Sequence, residues 1–191
     1  MKPSAFKKSL RLLAQAKDSL PNLAKLQNEL IPENYERAWY EFLCIINSIP
    51  ETLKTGSREE PKSRQWYASK EQIILKDPML KYLRHARAVG YHSDIQLLRI
   101  MTPFGPGKES VYDINGMASS GILNDITVPK HINQFRVWYE ALPVTTLEKD
   151  VIKPPTTHLG FQLFDKSPLG LAQRSIAFYR TMVAEAEAYV A

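Results

Sequence analysis

One cysteine in the whole chain, Cys44, rules out an intrachain disulfide and any zinc site built on thiolates. Set among Phe42, Leu43, Ile45 and Ile46, it is expected to be buried as a small hydrophobe rather than to act as a nucleophile. No apolar run approaches the roughly eighteen residues that a bilayer-spanning helix needs, so no membrane span is expected. The basic N-terminal stretch MKPSAFKKSLRLLAQAK lacks the unbroken apolar segment and small-residue cleavage site of a secretory signal, and its leucines have amphipathic helical spacing. A cytoplasmic chain is the expectation. Histidine is scarce: His85, His92, His131 and His158 include no pair at three- or four-residue spacing, and His85 and His92 would lie roughly 10 Å apart along a helix, too far to share one ion. Glycine is scarce as well. Gly105, Gly107, Gly116 and Gly121 read as turn glycines, and none opens a helix after a strand in the manner of a phosphate-binding loop. Neither metal nor cofactor is expected.

What is present is a basic segment inside a globular chain. With 191 residues and 44% hydrophobic content, one domain covering 1–191 is the default. The net charge of +5 is not spread evenly. Between Lys54 and Arg87 nine basic residues (Lys54, Arg58, Lys62, Arg64, Lys70, Lys76, Lys81, Arg84, Arg87) face four acidic ones (Glu59, Glu60, Glu71, Asp77), and elsewhere sixteen of each sign cancel. Such an excess attracts phosphates by Coulomb steering and counterion release, although a solvated helix face has the same composition.

Apolar residues recur at helical spacing from Ser4 to about Leu30, with Pro21 placed to kink or split the run. Pro32 opens a second periodic stretch, whose stripe Tyr35, Ala38, Trp39, Phe42, Ile45, Ile46, Ile49 and Leu53 ends near Gly56 and predicts the central core helix. The polar stretch 55–63 reads as a loop and 64–75 as a shorter helix. Asp77-Pro78 then pairs an N-cap residue with a first-turn proline, and Met79, Leu83, Ala86 and Gly90 follow on one face. After His92 the texture turns β-branched and aromatic. Strands are expected over 95–101, 103–107, 110–114, 122–128 and 135–142, with Asn115-Gly116 as a hairpin turn. An extended loop is expected over 156–165, and Ser167-Pro168 repeats the start signal before a last helix over 169–190. The fold class is therefore α+β, mainly α, with a helical frame (1–92 and 154–191) and a β-rich insertion (93–153).

The constellation with chemical potential is Arg87-Ala88-Val89-Gly90-Tyr91-His92, an arginine separated from a histidine by four residues. On RNA an imidazole can move the 2′-hydroxyl proton while a guanidinium holds the phosphate oxygens, with no metal needed. On an undistorted helix the two positions point about 140° apart. A helix ending at Gly90 would let His92 fold back toward Arg87, or toward the same pair of a second copy. The plainer alternatives are an Arg87 ion pair and a His92 that caps helix carbonyls. Tyr82, Tyr91 and Trp66 offer rings for base stacking or for the core.

An R-x(4-6)-H arrangement on a small helical bundle resembles the HEPN superfamily, which includes RNA-cleaving toxins, defence nucleases and non-catalytic relatives. More locally, LKDPMLKYLRHARAVGYH (75–92) and PPTTHLG (154–160) look like two signature stretches of a bacterial family of HEPN-like appearance, in which the last helix follows a PP-x-x-HLG loop. The resemblance covers the helical parts from about Pro32 to His92 and from Pro154 to Val190. It implies a HEPN-like helical bundle, into which the strands read above would insert a small antiparallel sheet, with Arg87 as the phosphate contact and His92 as the acid or base. Ala88 stands where a polar residue commonly follows the arginine. The expected function is RNA binding, extended to metal-independent endoribonuclease activity in a homodimer. Arg84, Lys81, Lys76, Arg64 and Tyr91 would contact RNA, with His158 and His85 as accessory groups. The alternative is a non-catalytic interaction module for a partner protein or a small anionic ligand.

Overall fold

Long apolar stripes at 3.6-residue spacing need a partner surface on every helix, and here each helix finds it on the second one. The computed structural model describes residues 1–27, 32–92, 97–102, 105–106, 138–146 and 149–190, with the side chains of 32, 91, 92, 100, 102, 105 and 106 outside that description. Among the described residues the helices are α1 (Pro3–Leu26), α2 (Pro32–Ser57), α3 (Pro61–Lys76), α4 (Pro78–His92) and α5 (Pro168–Ala186), the last followed by a 3₁₀ turn, Glu187–Tyr189. Along α2, Tyr35, Trp39, Phe42, Leu43, Ile46, Ile49 and Leu53 have no exposed surface, which makes it the central helix that the sequence predicts. It packs against α1, α3, α4 and α5. The protein is mainly helical with small antiparallel sheets. Among the described residues no helix is long and apolar enough to cross a membrane.

Pro21 does not split the first helix. Leu23 is buried and Leu20 and Leu26 pack against the core, so one face continues across the proline. The apolar contact offsets the missing N–H. Where α1 begins, it crosses the end of α2 at Gly56. A Cβ there would lie 2.3 Å from the Ala5 Cβ, and the Lys2 N–H donates to the Gly56 carbonyl at 2.9 Å. Neither contact can yield without moving a helix. Gly56→Val is therefore expected to lower stability by about 2 kcal/mol, the usual cost of overpacking. Urea unfolding checks this, and a midpoint unchanged from the parent protein would refute the close crossing.

Each later helix starts on a side-chain cap. Glu60 accepts the Lys62 N–H at 2.9 Å and the Ser63 N–H at 2.5 Å. Asp77 accepts the Leu80 N–H at 2.9 Å, and Ser167 accepts the Gly170 N–H at 3.1 Å. In every case a proline follows the cap, where its fixed φ suits the first turn.

Among the described residues the largest sheet has the order β2 (Gly105–Pro106), β1 (Leu98–Thr102), β3 (Trp138–Ala141). Its register opposes Leu98 to Ala141 and Met101 to Trp138. The sheet is tied to the helices at several points. The Leu97 N–H donates to the Glu36 carboxylate, the Tyr82 hydroxyl donates to the Leu142 carbonyl at 2.8 Å, and the Tyr139 ring lies 4.4 Å from that of Tyr35. The expected strands at 110–114 and 122–128, and the Asn115-Gly116 turn, lie outside the described residues. Two small pairs were not expected: β4 (Val144–Thr145) with β5 (Val151–Ile152), and β6 (Thr157–His158) with β7 (Phe161–Gln162). The second pair replaces the extended loop expected over 156–165. Cys44 is half-buried rather than enclosed.

Candidate functional site

Helix α4 divides its residues cleanly. Met79, Leu80, Tyr82, Leu83, Ala86 and Val89 are buried, and the buried Asn47 of α2 donates to the Leu83 carbonyl at 3.2 Å. Lys81, Arg84 and Ala88 form the exposed stripe, with His85 and Arg87 half-buried at its edges. Lys76 and Arg64 on α3 are exposed as well. Two of the nine basic residues in this part of the chain are neutralised, because Lys54 pairs with Glu71 at 2.6 Å and Lys70 with Glu185 at 2.5 Å. Among the described residues no carboxylate pairs with Lys76, Lys81, Arg84, Arg87 or Arg64. Of the seven that remain, Lys76, Lys81, Arg84 and Arg87 lie at the α3–α4 corner, and Arg58, Lys62 and Arg64 lie around the start of α3.

Arg87 and His92 are not brought together by a helix end at Gly90, because α4 runs on to His92. On continuous helical backbone the two positions are about 140° apart around the axis and about 7.5 Å apart along it. Gly90 has a different use. A Cβ at this position would lie 2.7 Å from Tyr40 Cδ2 and 3.2 Å from Leu97 Cδ1, so the glycine admits the Tyr40 ring of α2 against the α4 backbone. The side chains of Tyr91 and His92 lie outside the described residues. Tyr82 and Trp66 are buried in the core and offer no face to a base.

The structure instead assembles a constellation around Asp77, whose side chain is 3% exposed. Its Oδ1 lies 3.0 Å from His158 Nδ1 and also accepts the Leu80 N–H, while its Oδ2 accepts the Leu159 N–H at 2.6 Å. One carboxylate therefore starts α4 and holds the β6–β7 hairpin against it. The His158 ring meets the edge of Phe178 on α5 at a centroid separation of 6.0 Å, which seats the imidazole between the two helices. In the neutral tautomer that donates from Nδ1 to Asp77, Nε2 is the acceptor. Burial, the largest influence on Asp77, pushes its carboxyl up. The hydrogen bonds from His158, Leu159 and Leu80 outweigh it and hold the group below the usual carboxylate value.

The hairpin so anchored carries exposed aromatics. Leu159 and Gly160 form its two-residue turn with φ values of 50° and 82°, the left-handed geometry that a tight hairpin requires and that costs leucine more than glycine. The Asp77 bond to the Leu159 N–H offsets that cost. Phe161 stands opposite His158 in the ladder and is 78% exposed, and Phe164 beyond it is 89% exposed. The sequence marks Asp77 as a helix cap and His158 as a loop residue and accessory group. Their pairing spans 81 positions, and the one signal pointing to it is that they occupy the two stretches, 75–92 and 154–160, that stand out together. Among the described residues no three His, Cys, Asp or Glu side chains converge as a metal-binding group.

No family model, no curated protein and no solved structure matches this chain.

Proposed function

We propose that the protein binds RNA through the exposed face of α4 and the adjoining end of α3, as a HEPN-like helical protein would. The observation that carries this reading is the set of exposed cations Lys76, Lys81 and Arg84, which no carboxylate of the described residues neutralises. Cations left unpaired on a rigid helix are ready to replace the counterions of a phosphate backbone, and they lose little conformational freedom beyond their own rotamers in doing so. Asp77, the acidic residue nearest the stripe in sequence, is turned inward onto Leu80, His158 and Leu159 and does not oppose the approach of an anion.

Cleavage is a further step and belongs to a homodimer. Within one copy, the divergence of about 140° keeps an Arg87 guanidinium that grips a phosphate away from a His92 imidazole that would take the 2′-hydroxyl proton. Arg87 of one copy and His92 of another can meet across a two-fold axis without any change in the helix.

The test is incubation of the purified protein with mixed RNA in EDTA, with binding followed as salt is raised. Affinity falling steeply with salt is the expected result. Cleavage in EDTA that His92→Ala abolishes would establish the dimeric nuclease. Binding without cleavage limits the function to RNA recognition. No salt-sensitive binding would discard the RNA reading in favour of a module that docks a partner protein.

A further inference from the structure

We propose that the β6–β7 hairpin is a base-stacking platform, which makes single-stranded rather than duplex RNA the ligand of the α4 surface. The inference rests on the RNA-binding reading and adds the class of nucleic acid. Two phenylalanines at 78% and 89% exposure, three residues apart on and just beyond β7, are costly to hold in water unless a partner covers them. They do not belong to a loose tail. The hairpin is held by the Leu159 N–H on Asp77 Oδ2 at 2.6 Å, by His158 Nδ1 at 3.0 Å from Asp77 Oδ1, and by the Leu163 N–H on the Thr156 carbonyl at 2.8 Å. Beyond Phe164, Asp165 accepts the Ser167 N–H at 2.9 Å and lies against Gly170, so that its carboxylate is engaged at the start of α5.

The occupant follows from what adjoins the platform. Asp77, the anchor of the hairpin, sits in the chain between exposed Lys76 and exposed Lys81, and Lys166 follows Phe164 by two residues and is also exposed. Rings flanked by unpaired cations suit a ligand that alternates flat apolar faces with phosphates. Unpaired RNA presents both at once, whereas a duplex hides its base faces in its own stack. An apolar peptide would meet the rings but leave the lysines unmatched. Phe161 stands directly opposite His158 in the ladder, so the clamp on His158 also holds the Phe161 backbone in place.

The experiment compares wild type, Phe161→Ala/Phe164→Ala and Phe161→Trp/Phe164→Trp by fluorescence anisotropy, using one labelled oligoribonucleotide alone and annealed to its complement. Both positions are exposed, and equal melting temperatures confirm that folding is unaffected. Wild type is expected to prefer the single strand. The alanine pair should lose about tenfold or more on it, as expected for one lost stack or more, with the salt slope and the duplex affinity unchanged. The tryptophan pair should bind the single strand at least as well as wild type. Equal affinity of wild type for single strand and duplex, or an alanine pair that binds like wild type, overturns the stacking platform and leaves RNA binding by α4 standing. Absence of salt-sensitive binding to either probe overturns both.

Discussion

Asp77→Ala is expected to lower stability by about 3 kcal/mol, because it removes a buried acceptor shared by three donors and leaves the N–H groups of Leu80 and Leu159 without a partner. In a chain of this size that corresponds to a fall in melting temperature of about 6–12 °C. His158→Ala should cost less, about 1–2 kcal/mol, since it removes one hydrogen bond and the edge contact with Phe178 while both N–H groups stay paired. The informative variant is Asp77→Asn. Asparagine caps a helix about as well as aspartate. If Asp77 did no more than cap α4, the change would be nearly neutral. Here both carboxylate oxygens accept, and an amide has only one oxygen, so its NH₂ would face either Leu80 N–H or Leu159 N–H. A loss of about 2 kcal/mol is expected, and a neutral result would reduce Asp77 to a cap.

Acid supplies a second readout of the same clamp. The Asp77 carboxyl is held below its ordinary value in the folded protein. For a depressed carboxyl the stabilisation is fully present above the unfolded value of about 3.9 and is lost as the pH falls through the lower, folded value. The gap in unfolding free energy between wild type and Asp77→Asn should thus shrink as the pH falls below about 4. A gap that stayed the same into that acid range would show that the charge of Asp77 contributes nothing.

What could be read from the sequence follows from how local each interaction is. The Asp77-Pro78 and Ser167-Pro168 starts depend on residues three apart, and both fall where expected. The α2 stripe depends on spacing alone, and its members are buried. Pro21 was open to two outcomes, because the deciding factor, whether Leu23 finds a buried seat beyond it, is tertiary. Gly90 is open to two outcomes for the same reason. A glycine near a helix end has the look of a terminator, yet this one makes room for the Tyr40 ring, a contact fifty positions away in the chain. The hairpin at 157–162 escaped notice because its turn places Leu159, not asparagine or glycine, in the left-handed region, and the bond that compensates comes from Asp77. At the candidate site the cationic composition was legible. Which cations remain unpaired was not, since Lys54 and Lys70 find carboxylates on neighbouring helices while Lys81 and Arg84 find none among the described residues.

Reversing those two charges should have the largest effect on binding. Lys81→Glu/Arg84→Glu is expected to weaken RNA binding about a hundredfold near 0.1 M salt and to flatten the dependence of log affinity on log salt by about 1.4–1.8, as loss of two phosphate contacts requires. Folding should be little affected, because both side chains are exposed, neither forms an ion pair with a described residue, and glutamate is a good helix former. Net charge alone would also weaken binding, so the comparison must hold it constant. Arg174→Glu/Arg180→Glu on α5 alters the total by the same amount, at positions that are likewise exposed but lie on a different helix. If the α4 pair loses affinity and the α5 pair keeps it, RNA is held at the α3–α4 corner. If both pairs weaken equally, the attraction is a property of the whole molecule's charge, and the α4 surface has no privileged role.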